Sequence, residues 1–463
     1  MIRARYTVSD VKILLLGTYE LGRQPFGLAS PAAWLRKRGH AVECLDLSRQ
    51  SLQEATVADA QLIVFYLPMH TATLLALQWA RLVKENSPSA MLAACGLYAP
   101  LNESHLRAAG FSAIFGPEFE SDLAGLADEI AEGSAQPARR NGHSRLPKLA
   151  FELPDRAGLP QLRKYAHVVV PGGSHRVAGY TEASRGCKHH CRHCPIVPVY
   201  AGQFRVVPRE VVLGDIRQQV AVGAQHVTFG DPDFFNGIGH AMAIVEALHR
   251  EFPRITYDVT IKIEHLMNHR EHLVTLRDTG CLFVTSAVES VDDDVLCRLD
   301  KDHTRADFLQ VHRIFRELGL VLHPTFVPFT PWTTLDGYVD LLGALRENDL
   351  VENVAPIQLA IRLLIPAGSR LLELEEVQRL IDPFDPSALV YPWRNPDRRV
   401  DALGDEIEQI VASGEKNKLS RRSIFERIWN AAHEAAGMEP ELNAQPLLVS
   451  RAAIPYLNEP WYC

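Results

Sequence analysis

Three cysteines fall within eight residues, in the run Arg185-Gly186-Cys187-Lys188-His189-His190-Cys191-Arg192-His193-Cys194-Pro195. Intervals of three and then two residues let a short loop wrap its thiolates round one metal centre. In an iron–sulfur cube, three protein ligands leave one iron free to bind a substrate or a cofactor. The same intervals suit a structural zinc site of the Cys3His kind, with His189, His190 or His193 as fourth ligand. Position favours the iron–sulfur chemistry. The loop follows what reads as the first strand of a parallel barrel, where catalytic residues collect. A zinc staple more often brings two paired knuckles, and no second Cys-x-x-Cys is present.

The elements that must position this loop form two alternating series. In the first, short β-branched runs at 11–16, 41–45, 62–67, 91–95 and 113–115 are separated by helical stretches such as 29–37 and 74–84. That alternation predicts an α/β, flavodoxin-like doubly wound sheet. Ligands are expected beyond its strand ends, at 17–22, 68–71, 96–98 and 116–118. The second series has strands at 179–183, 226–229, 257–263, 282–289, 321–327 and 357–363, with helices at 208–222, 239–251 and 305–318 between them. It predicts a partial (β/α)6 barrel. The expected organisation is a first domain over 1–131, a linker and turn-rich lead-in over 132–178, a barrel over 179–374 and a small mixed region over 375–463.

With Cys187-x3-Cys191-x2-Cys194 after a barrel strand, the chain resembles the radical S-adenosylmethionine (SAM) enzymes over roughly residues 179 to 370. The resemblance implies a [4Fe–4S] cluster on Cys187, Cys191 and Cys194, with SAM chelating the fourth iron. It also implies one-electron cleavage of SAM, a small-molecule substrate and an external low-potential electron donor, flavodoxin or ferredoxin. Gly230, Asp231 and Asp233, in Phe229-Gly230-Asp231-Pro232-Asp233-Phe234, stand where the family places a Gly-Gly-Glu-like segment for the SAM amino group. A carboxylate suits an ammonium, and an ordinary turn at Pro232 suits the sequence as well. Glu289 and Ser290 end the fourth strand, where the family binds the ribose or methionyl part; a solvated strand end is the other reading. Lys262 and Glu264 end the third strand, and Arg362 lies in the sixth. Arg362 is the candidate partner of the SAM carboxylate, or the member of a structural ion pair. His193 takes a position that is often aromatic and lies near the adenine. His323, Phe326, Phe329, Pro331 and Trp332 would line a substrate pocket or belong to the core.

A flavodoxin-like domain ahead of such a barrel resembles the cobalamin-binding subgroup, which makes cobalamin a candidate cofactor. The first domain lacks an Asp-x-His-x-x-Gly motif, so no lower axial histidine is named. A closer resemblance is to the CUAEP/CCAEP-tail radical SAM proteins. It rests on the runs 185–195 and 225–234, on Ile261-Lys262-Ile263-Glu264-His265-Leu266 and on Phe329-Thr330-Pro331-Trp332-Thr333-Thr334. The sequence ends Glu459-Pro460-Trp461-Tyr462-Cys463, where the second chalcogen of such a tail would follow. The expectation is a selenocysteine-containing tail with Cys463 as a candidate catalytic thiol. Paired chalcogens bind soft elements. Related enzymes of arsinothricin biosynthesis move the 3-amino-3-carboxypropyl group of SAM to trivalent arsenic, and cobalamin-dependent radical methylation is a further chemistry the resemblance allows.

Composition excludes other classes. The 463 residues carry 48 basic and 56 acidic side chains and are 47% hydrophobic, ordinary for a globular protein of two or three domains. A formal charge of -8 argues against a nucleic-acid coat. Arg421, Arg422 and Arg427 form a small basic group, read as a solvated helix face. No run of eighteen apolar residues suggests a membrane span, and Lys12 and Gly17 break the first apolar stretch, which reads as a strand rather than a secretory signal. Eight cysteines with three clustered predict a cytoplasmic protein. Cys44, Cys95, Cys281 and Cys297 are expected to be buried structural thiols.

Overall fold

The computed structural model describes residues 10–133, 149–439 and 454–458. The first sheet contains β1 Lys12–Gly17, β2 Ala41–Asp46, β3 Leu62–Tyr66, β4 Met91–Cys95 and β5 Ala113–Ile114, all parallel, in the order β2-β1-β3-β4-β5. The run Lys12-Ile13-Leu14-Leu15-Leu16 is apolar without alternation because both faces are covered. Ile13 and Leu15 pack with Leu28, Ala32 and Leu123, from the helices Phe26–Lys37 and Glu120–Ala131. Leu14 and Leu16 pack with Ala76, Ala80 and Val83, from the helix His70–Asn86. Strand order reverses between β1 and β3, which opens a crevice at their carboxyl ends.

The second sheet begins earlier than the sequence pattern suggests. β6 His167–Val169 and β7 His175–Thr181 form an antiparallel hairpin across Gly172 and Gly173, both with positive φ. β8 Ser184–Gly186 pairs antiparallel with β9 Phe204–Val206 and carries the chain to the cysteines. Then β10 His226–Phe229, β11 Thr256–Thr260, β12 Cys281–Glu289 and β13 Leu322–Phe326 follow β7 as successive parallel neighbours. β14 Tyr456–Leu457 adds antiparallel to β6, so the curled sheet runs β13-β12-β11-β10-β7-β6-β14. Helices Arg209–Ala221, Ile238–Glu251, Arg305–Leu318 and Leu335–Glu347 cover its outer face. Their buried Ile216, Val245, Phe308 and Leu342 meet Val227, Val259 and Val284 of the strands.

The stretch 357–363, expected as a sixth strand, is not one. Pro356–Leu359 is a single tight helical turn, and only a parallel bridge between Phe329 and Arg362 continues the sheet. Proline at the first position of that turn favours helical geometry, and Gln358 Oε1 accepts from the Phe326 N–H at 3.2 Å. Beyond the barrel, helices Arg398–Lys416 and Arg421–Ala436 contribute Ile407, Val411, Ile424 and Ile428 to the barrel core. Cys44, Cys95 and Cys281 are buried as expected, whereas Cys297 is exposed on the short helix Asp293–Leu299. Arg421 is not part of a surface patch: its guanidinium donates to the Glu352 carbonyl at 2.6 Å and lies 4.5 Å from the Tyr456 ring centre. No described helix is long and apolar enough to cross a membrane.

Candidate iron–sulfur centre

The cysteine loop is held from several sides. The Asp231 carboxylate, after β10, accepts from the Ala183 N–H at 2.9 Å and the Ser184 hydroxyl at 2.5 Å, just ahead of the cysteines. Asn236 Oδ1 accepts from the Lys188 N–H at 3.2 Å and lies 3.9 Å from Cys187 Sγ. Arg192 donates to the carbonyls of Cys297 and Arg298, which end the helix after β12. Arg370 donates to the His190 carbonyl at 2.6 Å. Each contact removes conformers from a loop whose thiols must converge.

None of the three thiols is in a disulfide. Burial pushes Cys194 up to about 12, and the adjacent Cys191 thiol adds to the rise. Burial also raises Cys187, with Asp233 and Cys191 contributing. Thiols so placed ionise only against a cation, which fits a metal-bound site. The donor set fits a cluster better than one zinc ion. Zn–S bonds of about 2.3 Å bring sulfurs to roughly 4 Å from one another. Among the described residues, no trio of candidate ligand atoms lying mutually within 4.8 Å contains a cysteine.

Beside the loop, Glu289 ends β12 with φ +68°, a left-handed backbone that costs a side-chain-bearing residue about 1 kcal/mol or more and is commonest at functional sites. Its Oε1 lies 3.1 Å from His193 Nε2 and 3.3 Å from Lys301 Nζ. Burial alone would raise Glu289, but Lys301 and His193 hold its carboxyl down at about 2. Burial and the Lys301 charge lower His303 to about 4. Lys301 is 3% exposed, and sequence reasoning passed it over. It sits between Asp300 and Asp302, two positive-φ residues in a turn without hydrophobic period.

The other expected site residues divide. Gly230 is required by packing, since a Cβ there would lie 1.8 Å from the Tyr180 hydroxyl. Asp231 is spent on the loop backbone. Asp233 is 2% exposed and faces His189 and His265. Burial would raise its carboxyl, and the two imidazoles bring it down to about 2. Ser290 Oγ accepts from the Asp292 N–H in a turn. Lys262 Nζ reaches Asp302 at 3.1 Å and Glu264 at 3.2 Å. Arg362 is in a structural pair: it donates to Asp401 at 2.9 Å and to the Trp393 carbonyl at 2.7 Å, with its guanidinium 3.6 Å from the Trp393 ring centre. Phe326 and Phe329 are core residues, the latter stacked on Tyr338 at 4.9 Å. Cys463 lies outside the described residues.

The crevice of the first sheet faces β7 and β8. Arg185 Nη1 lies 2.7 Å from Glu120 Oε1 and its Nε 2.7 Å from Glu182. Ser30 donates to Glu120 at 2.6 Å and Tyr200 to Glu118 at 2.9 Å. Burial raises Glu20, Glu118 and Glu182 above the ordinary carboxylate range. Glu20 Oε1, Glu118 Oε2 and Glu120 Oε2 are buried without a hydrogen-bond donor.

A three-thiol loop thus stands at the rim of a curled half-barrel, beside a doubly wound sheet. Residues 181–338 match the family model of the radical SAM superfamily, whose members work with a [4Fe–4S] cluster and SAM. The chain is 22% identical over 321 residues to the hopanoid C-3 methylase of Methylococcus capsulatus, a match covering 67% of this chain and 62% of that protein. It is 23% identical over 223 residues to a tRNA-2-methylthio-N(6)-dimethylallyladenosine synthase of Pelodictyon phaeoclathratiforme, covering 44% and 50%. The chain thus spans under two thirds of the length of these curated relatives. Among solved structures, the cobalamin-dependent SAM radical enzyme OxsB, with aqua-cobalamin and SAM bound, superposes over 92% of this chain and 72% of that one with TM-score 0.68 and 13% identity. The radical SAM methyltransferase TsrM of Kitasatospora setae, with cobalamin and a [4Fe–4S] cluster, gives TM-score 0.58 at 15% identity over 73% and 70%. At such identities the likeness is one of fold.

Proposed function

We propose that the chain cleaves SAM reductively at a [4Fe–4S] cluster held by Cys187, Cys191 and Cys194 in order to modify a small molecule. The observation that carries this reading is the three-thiol loop packed against the buried Glu289–His193–Lys301 group. A cluster on these three thiolates, reduced by an external flavodoxin or ferredoxin, would supply the electron that cleaves SAM to a carbon radical. The chain's own part is to orient SAM through Gly230, Glu289, Ser290 and His193, and to exclude water. Residues 179–374 form the catalytic unit and residues 1–131 a cofactor unit.

The crevice favours cobalamin as that second cofactor. Its unsatisfied carboxylate oxygens, on Glu20, Glu118 and Glu120, suit a ligand whose rim bears many amide N–H donors. The fold shared with OxsB and TsrM supports the same reading.

The test is anaerobic. The cluster is reconstituted, SAM and a low-potential reductant are added with and without hydroxocobalamin, and the released nucleoside is identified. 5′-Deoxyadenosine means hydrogen abstraction, S-adenosylhomocysteine with cobalamin means methylation, and 5′-methylthioadenosine means aminocarboxypropyl transfer, to be followed with arsenite. Equal yield from wild type and Cys191→Ala, or no product from either, overturns the proposal.

A further inference from the structure

Beside the cysteines, three buried ligand atoms converge from three elements. His189 Nε2 comes from the cysteine loop, Asp233 Oδ2 from the turn after β10, and His265 Nδ1 from the helix Ile263–Asn268 after β11. Oδ2 lies 3.2 Å from His189 Nε2 and 2.7 Å from His265 Nδ1, and all three atoms fall within 4.8 Å of one another. We infer that His189, Asp233 and His265 bind one divalent transition-metal ion, a site separate from the cluster cysteines.

The orphaned atoms carry the argument. The side chains of His189, Asp233 and His265 are 9%, 2% and 3% exposed. Yet His189 Nε2, Asp233 Oδ2 and His265 Nδ1 are each buried without a hydrogen-bond partner. Both nitrogens lie at ion-pair distance from Oδ2, yet neither meets it in hydrogen-bond geometry. A hydrogen bond needs the N–H aimed at the oxygen, whereas an ion between the three needs only that the lone pairs meet there. Leaving such polar atoms unsatisfied costs about 1–3 kcal/mol each, and a cation bound by all three removes that cost.

The surroundings fit the same reading. Asp233 Oδ1 is already engaged, accepting from the Phe235 N–H at 3.0 Å, which fixes the carboxylate and leaves Oδ2 for the ion. The other nitrogen of His189, Nδ1, lies 3.3 Å from Lys262 Nζ and 3.5 Å from Glu264 Oε2, which pair with each other at 3.2 Å. Two imidazoles and one carboxylate select borderline ions such as Fe2+, Co2+ or Zn2+ over Mg2+ or Ca2+, and three protein ligands leave positions for water or an anionic substrate oxygen.

The cluster-loaded full-length protein is equilibrated with Zn2+, and separately with Co2+, then passed through a desalting column and analysed for metals. One equivalent beyond the cluster iron is expected, with visible d–d bands for Co2+. His265→Ala and Asp233→Asn are expected to lose that equivalent while keeping the brown chromophore. A Cys187/Cys191/Cys194→Ala variant is expected to keep it, which separates this site from the cluster reading. Wild type that holds no ion beyond the cluster, or an ion retained undiminished by both His265→Ala and Asp233→Asn, overturns the inference.

Discussion

Arg185, two residues before Cys187, has its Nη1 2.7 Å from Glu120 Oε1, at the start of the last helix packed on the first sheet. Their side chains are 10% and 1% exposed, and the same guanidinium holds Glu182 at 2.7 Å. The cysteine loop is thereby tied to the first domain through a buried ion pair. Arg185→Met removes the cation and leaves both carboxylates uncompensated. The expected loss is about 3–5 kcal/mol, the range for breaking one side of a buried pair, read as a lower urea midpoint. Adding Glu120→Gln is expected to recover part of it. An unchanged midpoint in the single variant would show that the pair does not hold the two halves together.

Much of this arrangement was legible in the sequence. Uninterrupted apolar runs such as 12–17 mark strands covered on both faces, and the cysteine intervals mark one short loop whose thiols suit a metal centre. The hairpin before β7 leaves one turn signal, Pro171-Gly172-Gly173-Ser174, after Val168-Val169-Val170, a run too short to mark a strand by its period. Arg362 reads from the sequence as a partner of the SAM carboxylate or as a member of a structural ion pair, near the end of a run expected to be a strand. Only tertiary packing, with Pro356 and Gln358, decides between them, and it delivers Arg362 to Trp393 and Asp401. The convergence of His189, Asp233 and His265 from three elements has no local signature at all.

Asn236 braces the cysteine loop by accepting from the Lys188 N–H and donating to the Gly186 carbonyl at 3.4 Å. Asn236→Ala keeps every metal ligand but frees the backbone on both sides of Cys187. Cluster retention against a chelator is expected to fall by about 10–100-fold, the usual effect of removing a group that orients ligands. Bleaching of the brown chromophore over time measures it, and wild-type kinetics would mean that the loop is held without Asn236.

Glu289→Gln tests the SAM site apart from the cluster. The substitution keeps the shape but removes the charge that meets His193 and Lys301, leaving Lys301 buried without its carboxylate. A hydrogen bond to a charged group contributes about 1.5–3 kcal/mol, so SAM affinity is expected to weaken roughly 10–100-fold. Iron content should stay at the wild-type level. Equilibrium dialysis against labelled SAM reads the first quantity and elemental analysis the second. A fall in iron with unchanged SAM affinity would instead place Glu289 in support of the cluster.

His323 on β13 offers a test in mildly acidic solution. Its ring stacks 4.6 Å from Phe283, Nε2 is buried without a partner, and burial, with the nearby Arg421 charge, lowers the imidazole to about 3. The folded chain therefore keeps His323 neutral where the unfolded chain, with an ordinary histidine near 6.5, takes up a proton. The stabilisation is fully present above about pH 6.5 and is lost as pH falls toward 3, with a slope of at most about 1.4 kcal/mol per pH unit from this one residue. His323→Phe preserves the stacking on Phe283 and removes the titration. Urea midpoints measured from pH 7.5 to 5 are expected to fall more steeply for wild type than for the variant. Parallel profiles for the two proteins would show that His323 is protonated in the folded chain and that its burial does not set the acid sensitivity of the barrel.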